Sequence, residues 1–313
     1  MNESMPSVSV VIPALNAADV IGNALMSIKN QTYQNIVEVI VAAGDAETAS
    51  ASRRFGAEVV ENPSGTTPAG LNLGLGVARG SVIVRCDAHA ALPSGYVSRA
   101  IETLLARGAV NVGGMQVPVG TTYWERAIAS AMASPIGAGD ARYRIGGEAG
   151  PAETVYLGVY DKKRILDLGG FDETFKRNQD YELNHRIIAE GGLVWFDPEL
   201  RVEYKPRGSL RELWSQYFQY GAAKRQFARH HARSLRARQL APPVLVLSLI
   251  ISLLVAPFWT WSLLAPAGYV LALASGVVVK TSASDGASVG TILALTSMHL
   301  AWGLGFLFGK RLN

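Results

Sequence analysis

The alternation that decides the fold begins with the stretch Val8-Ser-Val-Val-Ile12, an apolar run that predicts a buried strand. The next segment, Ala17 to Asn30, places its apolar residues on one helical face and predicts a helix. The same order continues to Cys86, with strands predicted at 37–41, 57–61 and 82–86 and helices at 46–55 and 68–78. Strands that alternate with helices in this way predict an α/β fold, a mainly parallel sheet flanked by helices.

Ligands bind to such sheets at the carboxyl ends of the strands, so the loops after Ile12, Val41 and Cys86 are the predicted sites of chemistry. Beyond Asp87 the pattern is less regular. We expect further strands at 110–117, 156–160 and 193–196, and helices at 95–106, 162–168, 180–189 and from 210 to about 238. The glycine-rich residues 137–150 are expected to form a mobile loop near the substrate.

The last part of the chain has a different composition. Between residues 242 and 309 the only charged side chains are Lys280 and Asp285. The segments 242–261, 262–279 and 287–309 each approach the ~20 residues that cross a bilayer, and they predict two or three transmembrane segments. Two spans, or a hairpin with a peripheral helix, would keep the basic residues 310–311 inside, whereas three would not. A buried soluble helical domain is the alternative, because prolines and glycines interrupt the apolar run.

A basic segment precedes these apolar stretches. Against Glu203 and Glu212, residues 201–240 carry ten basic side chains: Arg201, Lys205, Arg207, Arg211, Lys224, Arg225, Arg229, Arg233, Arg236 and Arg238. Such a cluster is typical of a cytoplasmic flank attracted to anionic membrane lipids. No recognised nucleic-acid-binding motif accompanies it, so nucleic acid is not an expected partner. The polar first residues predict no signal peptide, so we expect the α/β domain to lie in the cytosol. With the apolar segments, the chain is expected to be a multi-pass protein of the inner membrane.

The sequence therefore predicts three parts. Residues 1–210 form the α/β domain, residues 211–241 form a basic amphipathic helix at the membrane interface, and residues 242–313 form the transmembrane helical anchor.

Three groups of residues could carry chemistry. In Asp87-Ala-His89 the two polar side chains lie two positions apart after a strand, so they could share one divalent cation, Mn²⁺ or Mg²⁺, that bridges the phosphates of a nucleotide diphosphate. The triplet is also compatible with a simple capped strand end.

The single cysteine, Cys86, excludes an internal disulfide and a multi-cysteine metal site, and it is expected to be a core residue.

The second group lies between Gly169 and His185, where Asp180 follows a glycine pair that permits close backbone approach to a ligand. Asp180 could act as a general base on an acceptor hydroxyl, or could serve only as a partner of the helix dipole. The third group, Gln216-Tyr-Phe-Gln-Tyr-Gly-Ala-Ala-Lys-Arg225, is aromatic and basic at helical spacing. It favours either substrate binding or an interfacial helix.

Together these motifs resemble those of the family 2 glycosyltransferases, and more narrowly of the ExoA-like enzymes of succinoglycan and related exopolysaccharide synthesis. The resemblance runs from about residue 7 to Arg225. It rests on four blocks in the family's order: residues 8–16 with the opening strand and loop, 62–74 with Ala69-Gly-Leu-Asn-Leu-Gly74, 85–89 with a variant of D-x-D, and 169–185 with the catalytic block.

The resemblance implies a GT-A fold, an inverting single displacement, a nucleotide-diphosphate sugar donor and a divalent metal. It implies that Asp180 is the catalytic base and that Asp87 and His89 hold the metal at the diphosphate. The residues that it assigns to the nucleotide-sugar site are Pro13, Asn16, Asp45, Asn72, Arg85, Asp87, Gln216 and Arg225.

The sequence departs from the family after the second strand. The family usually has an aspartate there that binds the base of the nucleotide, and this chain has Ala43, in Val41-Ala-Ala-Gly-Asp45. Asp45 could compensate, because its loop ends over the same crevice. The replacement of the second D-x-D aspartate by His89 is milder, since imidazole also binds Mn²⁺.

The expected function is transfer of a sugar from a nucleotide diphosphate to a lipid-linked or glycan acceptor at the cytoplasmic membrane face. Single addition is favoured over processive synthesis, because three short spans are few for a translocation channel. Two rivals stay open. One is a noncatalytic membrane-tethered scaffold or binding protein, suggested by Ala43. The other is a membrane-bound nucleotidyltransferase, although residues 13–16 do not form its expected glycine-rich phosphate loop.

Overall fold

The computed structural model describes residues 5–230, 235–280 and 288–310. Two compact units make up the chain. The first comprises Met1–Val117 and Gly146–Glu203, and the second comprises Pro118–Ile145 and Tyr204–Asn313. The division of the sequence at residues 210 and 241 concerns the roles of the parts and stays a prediction.

The first unit is built on a sheet that has eight strands within the described residues. In chain order the strands are β1 Val8–Ala14, β2 Ile36–Ala43, β3 Glu58–Glu61, β4 Val82–Arg85, β5 Asn111–Pro118, β6 Gly150–Pro151, β7 Tyr156–Asp161 and β8 Val194–Tyr204. Their order across the sheet is β3-β2-β1-β4-β7-β5-β8-β6.

The sheet is mixed rather than mainly parallel. Strands β1, β2, β3 and β4 pair in parallel, as the alternating sequence predicts. Strand β7 is antiparallel to both β4 and β5, and β6 is antiparallel to β8. Antiparallel neighbours do not need a helical crossover between them, so the sequence beyond Asp87 lacks the regular alternation that revealed the parallel half.

The helices, in chain order, are α1 Ile21–Lys29, α2 Ala46–Arg54, α3 Thr67–Val77, α4 Tyr96–Arg107, α5 Tyr123–Met132, α6 Pro135–Ala138, α7 Arg142–Ile145, α8 Lys162–Asp167, α9 Gln179–Ala189, α10 Leu210–His230, α11 Ala237–Val255, α12 Leu264–Lys280 and α13 Ser288–Phe308. Helices α6 and α7 lie in the glycine-rich stretch for which a loop was expected.

The core of the first unit forms where helices cover the buried parallel strands. Val10 and Ile12 of β1 are fully buried, and Cys86 is a core residue as predicted. Glycines let α3 approach the sheet closely. A Cβ added at Gly70 would lie 3.1 Å from the Cβ of Pro13, and one at Gly74 would collide with Val11. The glycines of the block 69–74 therefore set the distance between helix and sheet.

Other elements also differ from the sequence prediction. Helix α1 begins at Ile21 rather than Ala17, because Asn16 has a positive φ of 51° and the chain first makes a turn. Strand β8 continues to Tyr204 instead of ending at Phe196, since Arg99 and Thr103 bind the carboxylate of Asp197 inside the strand. Helix α5 was not predicted.

The start of α5 carries a reciprocal cap that the sequence does contain. Thr122 accepts a hydrogen bond from the backbone N–H of Glu125, and the Glu125 carboxylate accepts one from the N–H of Thr122. This is the S/T-x-x-E signature of a helix start. Helix α10 begins at Leu210 as expected and ends at His230, and the predicted continuation through 231–234 lies outside the described residues.

The second unit packs around α13. Added Cβ atoms at Gly221, Gly305 and Gly303 would collide with the backbones of Trp302, Phe218 and Pro242, respectively. Helices α10 and α11 therefore approach α13 at backbone distance, which is how small residues pack apolar helices.

Among the described residues, one helix is long and apolar enough to cross a membrane, Val289–Phe308. The predicted spans 242–261 and 262–279 correspond to α11, whose apolar part Gln239–Val255 is shorter, and to α12, which has 17 residues. A multi-pass arrangement is therefore not supported by helix length. Residues 256–259, which include Pro257, and the 3₁₀ turn at Thr260–Leu263 separate these two apolar helices.

Candidate functional site

The candidate site lies at the edge of the sheet where β1, β2 and β4 end. Strands β1 and β4 are parallel neighbours, with Val11 paired to Arg85 and the N–H of Cys86 bound to the carbonyl of Val11 at 3.1 Å. Pro13 and Asp87 each follow this pair by two residues. The sheet register therefore brings the loop after β1 and the Asp87-Ala-His89 motif to the same edge, as the sequence predicts for these motifs.

The guanidinium of Arg85 lies between two carboxylates. Its Nε and Nη2 donate hydrogen bonds to Oδ1 of Asp87 at 3.2 and 2.9 Å. Its Nη1 lies 3.7 Å from Oδ2 of Asp180, in the first turn of α9. The side chains of Arg85, Asp87 and Asp180 are 10%, 19% and 34% exposed. One buried cation thus joins two motifs that are far apart in the sequence.

Electrostatics fix the charges of this cluster. Burial alone would lower the pKa of Arg85, but the negative charges of Asp87 and Asp180 raise it above its ordinary value. Burial would raise the pKa of Asp87, but the positive charges of Arg85 and then His89 lower it below its ordinary value. At neutral pH the site therefore holds a guanidinium cation beside an ionised Asp87.

Two tyrosines of β7, the buried Tyr160 and the partly buried Tyr156, complete this environment, and sequence reasoning missed them. Burial is the main cause that raises the pKa of both phenols, Tyr156 and Tyr160, well above the ordinary value. The nearby negative charge of Asp87 raises both pKa values further. Tyr160 also packs edge-to-face on Phe171, with ring centroids 5.9 Å apart. Strand β7 was predicted, but only its antiparallel pairing with β4 shows that these side chains meet the Asp87 motif.

An ion pair within α9 fixes the position of Asp180. The carboxylate of Glu182 is buried and accepts hydrogen bonds from Nε and Nη2 of Arg186 at 2.7 and 2.6 Å. Arg186 also donates to the carbonyl oxygens of Leu168 and Gly170, both at 2.7 Å. The glycine turn and the first turns of α9 are thereby tied together. The spacing i, i+4 of Glu182 and Arg186 is the sequence signal for this pair.

Asn72 of α3 binds the other side of the same turn. Its Oδ1 accepts a hydrogen bond from the N–H of Phe171 at 2.8 Å. Its Nδ2 donates to the Phe171 carbonyl at 2.8 Å and to Glu173 Oε1 at 2.9 Å. At Gly170, where φ is 73°, an added Cβ would lie 2.7 Å from Asn72 Oδ1. This geometry makes Asn72 a positioning residue for the turn, and its predicted contact with the donor stays a prediction.

Asp45 is the N-cap residue of α2, and both oxygens of its carboxylate accept hydrogen bonds. Its Oδ1 accepts from the N–H of Thr48 at 2.8 Å, and its Oδ2 accepts from the Thr48 hydroxyl and from the N–H of Asn16, both at 2.7 Å. The hydrogen bonds from Thr48 are the main cause of a lowered Asp45 pKa. Asp45 therefore ties together the loops after β1 and β2. Whether this carboxylate replaces the family's aspartate at Ala43 stays a prediction.

A divalent metal fits the chemistry of the Asp87 motif in part. Both hydrogen bonds from Arg85 end on Oδ1 of Asp87, so Oδ2 is the atom suited to ligate a cation. His89 is exposed two residues further along the loop. The described residues contain no group of three or more acidic, histidine or cysteine side chains that could hold a metal. Two protein ligands suit an ion that takes most of its shell from phosphate oxygens and water.

Gln216 and Arg225 lie in the second unit, on α10. Gln216 is buried, and its Nε2 donates to the hydroxyl groups of Tyr204 and Tyr220 at 3.1 and 3.0 Å. Arg225 donates to the carbonyl oxygen of Gly309 at 3.1 Å. Both side chains therefore bind other residues of their own unit, and their predicted roles in substrate binding stay predictions.

The strand order, the crevice at the ends of β1, β2 and β4, and the acidic motif beside it define a GT-A fold, the fold of nucleotide-sugar-dependent transferases. The family model described as Glycosyl transferase family 2 matches residues 9–164. The chain is a family 2 glycosyltransferase, an enzyme that uses a nucleotide-sugar donor.

Similar proteins agree with this family over most of the chain. The chain is 29% identical to "Succinoglycan biosynthesis protein ExoA" of Rhizobium meliloti (strain 1021), over 95% of this chain and 93% of that protein. It is 24% identical to "Dolichyl N-acetyl-alpha-D-glucosaminyl phosphate 3-beta-D-2,3-diacetamido-2,3-dideoxy-beta-D-glucuronosyltransferase" of Methanococcus voltae, over 70% of this chain and 73% of that one.

A solved structure shares the fold. It is "Mannosyltransferase PcManGT from Pyrobaculum calidifontis in complex with GDP-Man and Mn2+", with a TM-score of 0.64 and 18% sequence identity. The likeness covers 98% of this chain and 89% of the other.

Proposed function

We propose that this glycosyltransferase is inverting, and that it adds a single sugar from a nucleotide diphosphate to a lipid-linked or glycan acceptor at the cytoplasmic face of the membrane. The observation that carries the proposal is the bridge that Arg85 makes between Asp87 and Asp180. One guanidinium thus binds both carboxylates of the proposed mechanism, the one assigned to the metal at the departing diphosphate and the one assigned to proton transfer.

Asp180 is the base in this mechanism. Its carboxylate takes the proton of the acceptor hydroxyl while that oxygen bonds to the anomeric carbon and the bond from this carbon to the diphosphate breaks. Attack from the face opposite the leaving group inverts the anomeric configuration, and the nucleotide diphosphate leaves with the electron pair of the broken bond. A side chain 34% exposed at the start of α9 can meet an acceptor from solvent.

Arg85 holds the two carboxylates at a fixed separation. Its guanidinium is buried and already binds two carboxylates, so it is not a main ligand of the sugar donor. Its role is positional, and the contact with the sugar donor predicted for it would be secondary. The turn before α9, held by Asn72 and Arg186, supports the same geometry from the other side. A base misplaced by about 1 Å can lower the rate about a hundredfold, so residues that only position the base still affect the rate.

Asp87 and His89 would hold the divalent metal, Mn²⁺ or Mg²⁺. When bound, such an ion offsets negative charge on the leaving diphosphate. The complex of PcManGT with GDP-Man and Mn²⁺ supports metal use in this fold.

The acceptor class is supported by the names of the two relatives. One name describes transfer to a dolichyl phosphate-linked sugar, and the other describes succinoglycan biosynthesis. A lipid-linked intermediate of an exopolysaccharide fits both.

Contact with the membrane is supported by large apolar side chains that the second unit leaves exposed around the end of α11 and the start of α12. Leu254, Phe258 and Trp261 are 69%, 91% and 67% exposed. Several exposed apolar groups this close together mark an interaction surface. Exposed basic residues of the same unit, such as Lys205 and Arg207, suit anionic headgroups.

A noncatalytic scaffold is the second candidate function, and Ala43 and Asp45 favour it. Ala43 has no carboxylate for the nucleotide base, and the carboxylate of Asp45 already caps α2. A scaffold of this kind would keep the fold and would not need Asp180.

The test between the two is the variant Asp180→Asn in membranes that supply the acceptor, with radiolabelled UDP-sugars and GDP-mannose as donors. Loss of the base lowers the rate by about 10²- to 10⁴-fold. The donor should still bind, because Asp180 acts on the acceptor. Asp167→Asn, which changes an exposed carboxylate of α8, serves as the control and should keep full activity. Equal activity of the Asp180 variant and the parent would contradict the mechanism.

A further inference from the structure

Arg144, on the short helix α7 of the second unit, is a cation without an acidic partner. Its Nε donates to the hydroxyl of Tyr143 at 3.1 Å, and its Nη1 donates to the hydroxyl of Tyr217 at 2.9 Å. Its guanidinium also lies 5.4 Å from the ring centroid of Tyr143. Within the part of the chain that the structure describes, no carboxylate lies at ion-pair distance from it. By contrast, Arg85 and Arg186 of the first unit each bind a carboxylate.

The lack of an acid has an energetic consequence. The Arg144 side chain is partly buried. A guanidinium that is partly removed from water loses part of its hydration, and phenol hydroxyls replace only some of what is lost. Arg144 is surrounded by tyrosines, and Tyr217 is buried. Such a cation gains more from an anionic ligand than an exposed arginine does, because the surrounding dielectric is lower. The hydroxyl of Tyr217 accepts from Arg144 and can donate its own proton to the same anion.

A buried acceptor atom lies in the same aromatic cluster. Tyr217 packs on Tyr220 with ring centroids 5.5 Å apart, and the hydroxyl of Tyr220 accepts a hydrogen bond from Gln216 at 3.0 Å. The Gln216 side chain is more than nine-tenths buried, and its Oε1 has no hydrogen-bond donor among the described residues. An unpaired buried acceptor costs free energy unless a ligand supplies a donor, such as a hydroxyl.

We propose that Arg144, Tyr143 and Tyr217 form a binding site for a phosphate group, with Gln216 accepting a hydrogen bond from a hydroxyl of the same ligand. Phosphate is favoured over a carboxylate for two reasons. The planar guanidinium fork matches two phosphate oxygens, and a third oxygen remains for the Tyr217 hydroxyl. The second unit also exposes apolar side chains suited to lipid, so the phosphate can be that of a lipid headgroup or of a free phosphate ester.

The experiment is isothermal titration of the full-length protein in a neutral detergent with three probes: dioctanoyl phosphatidic acid, dioctanoylglycerol and inorganic phosphate. Phosphatidic acid should bind and dioctanoylglycerol should not, because they differ in the phosphate group. Competition by inorganic phosphate would assign recognition to the phosphate alone, and its absence would assign it to phosphate attached to lipid. Equal binding of the two lipids would overturn the proposal.

Variants locate the site. Arg144→Gln should weaken binding of phosphatidic acid by at least about tenfold, the effect of losing a hydrogen bond from a charged group. Tyr217→Phe removes one hydroxyl and should weaken it by about threefold to tenfold. Arg54→Gln removes an exposed positive charge of α2, outside the basic segment 201–240, and should change the affinity by less than about twofold.

Thermal unfolding without ligand checks that each variant is folded. If Arg144→Gln does not fold, Tyr217→Phe decides, because it changes a single oxygen atom. Unchanged affinity in a folded Arg144→Gln or in Tyr217→Phe would overturn the proposal, as would an equal loss in Arg54→Gln, which would indicate attraction by net charge alone.

Discussion

Replacement of Arg85 by methionine tests the electrostatic centre of the site. Methionine keeps an unbranched side chain of similar shape but removes the charge and all five donors. Asp87 and Asp180 would then be two partly buried carboxylates without their shared cation. At an effective dielectric constant of about 20, the gross attraction is about 6 kcal/mol at 2.9 Å and about 4 kcal/mol at 3.7 Å.

The net loss of stability is smaller than this attraction. Removing one partner of a fully buried ion pair costs about 3–5 kcal/mol. Because Asp87 and Asp180 keep 19% and 34% of their side-chain surface in solvent, we expect a loss at or below the lower end of this range, about 2–3 kcal/mol. For a domain of this size that corresponds to a decrease in Tm of roughly 5–10 °C at neutral pH.

The loss should depend on pH in a defined direction. In the parent protein the pKa of Asp87 is below its ordinary value of 3.8, so its ionised form stabilises the fold above that pH, and this is lost as the pH falls through the folded-state pKa. Without Arg85, burial is the largest remaining influence and raises the pKa of Asp87. In the variant, protonation of Asp87 then removes the cost of its buried negative charge as the pH falls. The difference in Tm between parent and variant should therefore be largest at pH 7 and should decrease as the pH falls towards 3.5.

The assay is thermal unfolding in a mild detergent, followed by tryptophan fluorescence at both pH values. Lys163→Met is the matched control, because it removes a cation from an exposed i, i+4 pair with Asp167 and should cost less than about 1 kcal/mol at either pH. A difference in Tm that is the same at both pH values, or no larger than that of the control, would refute the electrostatic argument.

Two further predictions concern the supports of the site and the membrane surface. Asn72→Ala removes three hydrogen bonds to the turn before α9. In steady-state kinetics it should lower kcat about tenfold with little change in the KM for the sugar donor. A rise in KM alone would favour direct binding of the donor by Asn72. The double change Phe258→Ser and Trp261→Ser should weaken co-sedimentation with anionic vesicles at least tenfold, since each large apolar side chain contributes about 1.5–3 kcal/mol when buried. The exposed Leu105→Ser of the first unit is its control, and equal losses would exclude a specific membrane surface.

Local patterns in the sequence predicted the parallel half of the fold. The apolar run at Val8–Ile12 and the helices after it follow periodicities that depend on near neighbours alone. Strand β8 was cut short at Phe196, because Asp197-Pro198-Glu199 has loop-like composition and the partners of Asp197 lie in α4. Helix α5 could have been found from Thr122 and Glu125, whose spacing is a local signal.

The site was predicted at the level of motifs and not of contacts. The order of strands brought Pro13 and Asp87 to one edge, which follows from parallel pairing. The bridge from Arg85 to Asp180 depends on where α9 packs, and no local pattern contains that information. Asp45 shows the same limit, since its carboxylate could cap α2 or face a ligand, and only the position of Asn16 shows that it binds the loop after β1.

Binding of the nucleotide diphosphate at Asp87 is the central claim, and isothermal titration with UDP and GDP, with and without Mn²⁺, tests it most directly. One nucleotide should bind in the presence of the metal, and Asp87→Ala should weaken this binding at least about tenfold while Asp167→Ala should not. Failure of both nucleotides to bind the folded parent protein, with or without Mn²⁺, would contradict the account and favour the noncatalytic scaffold.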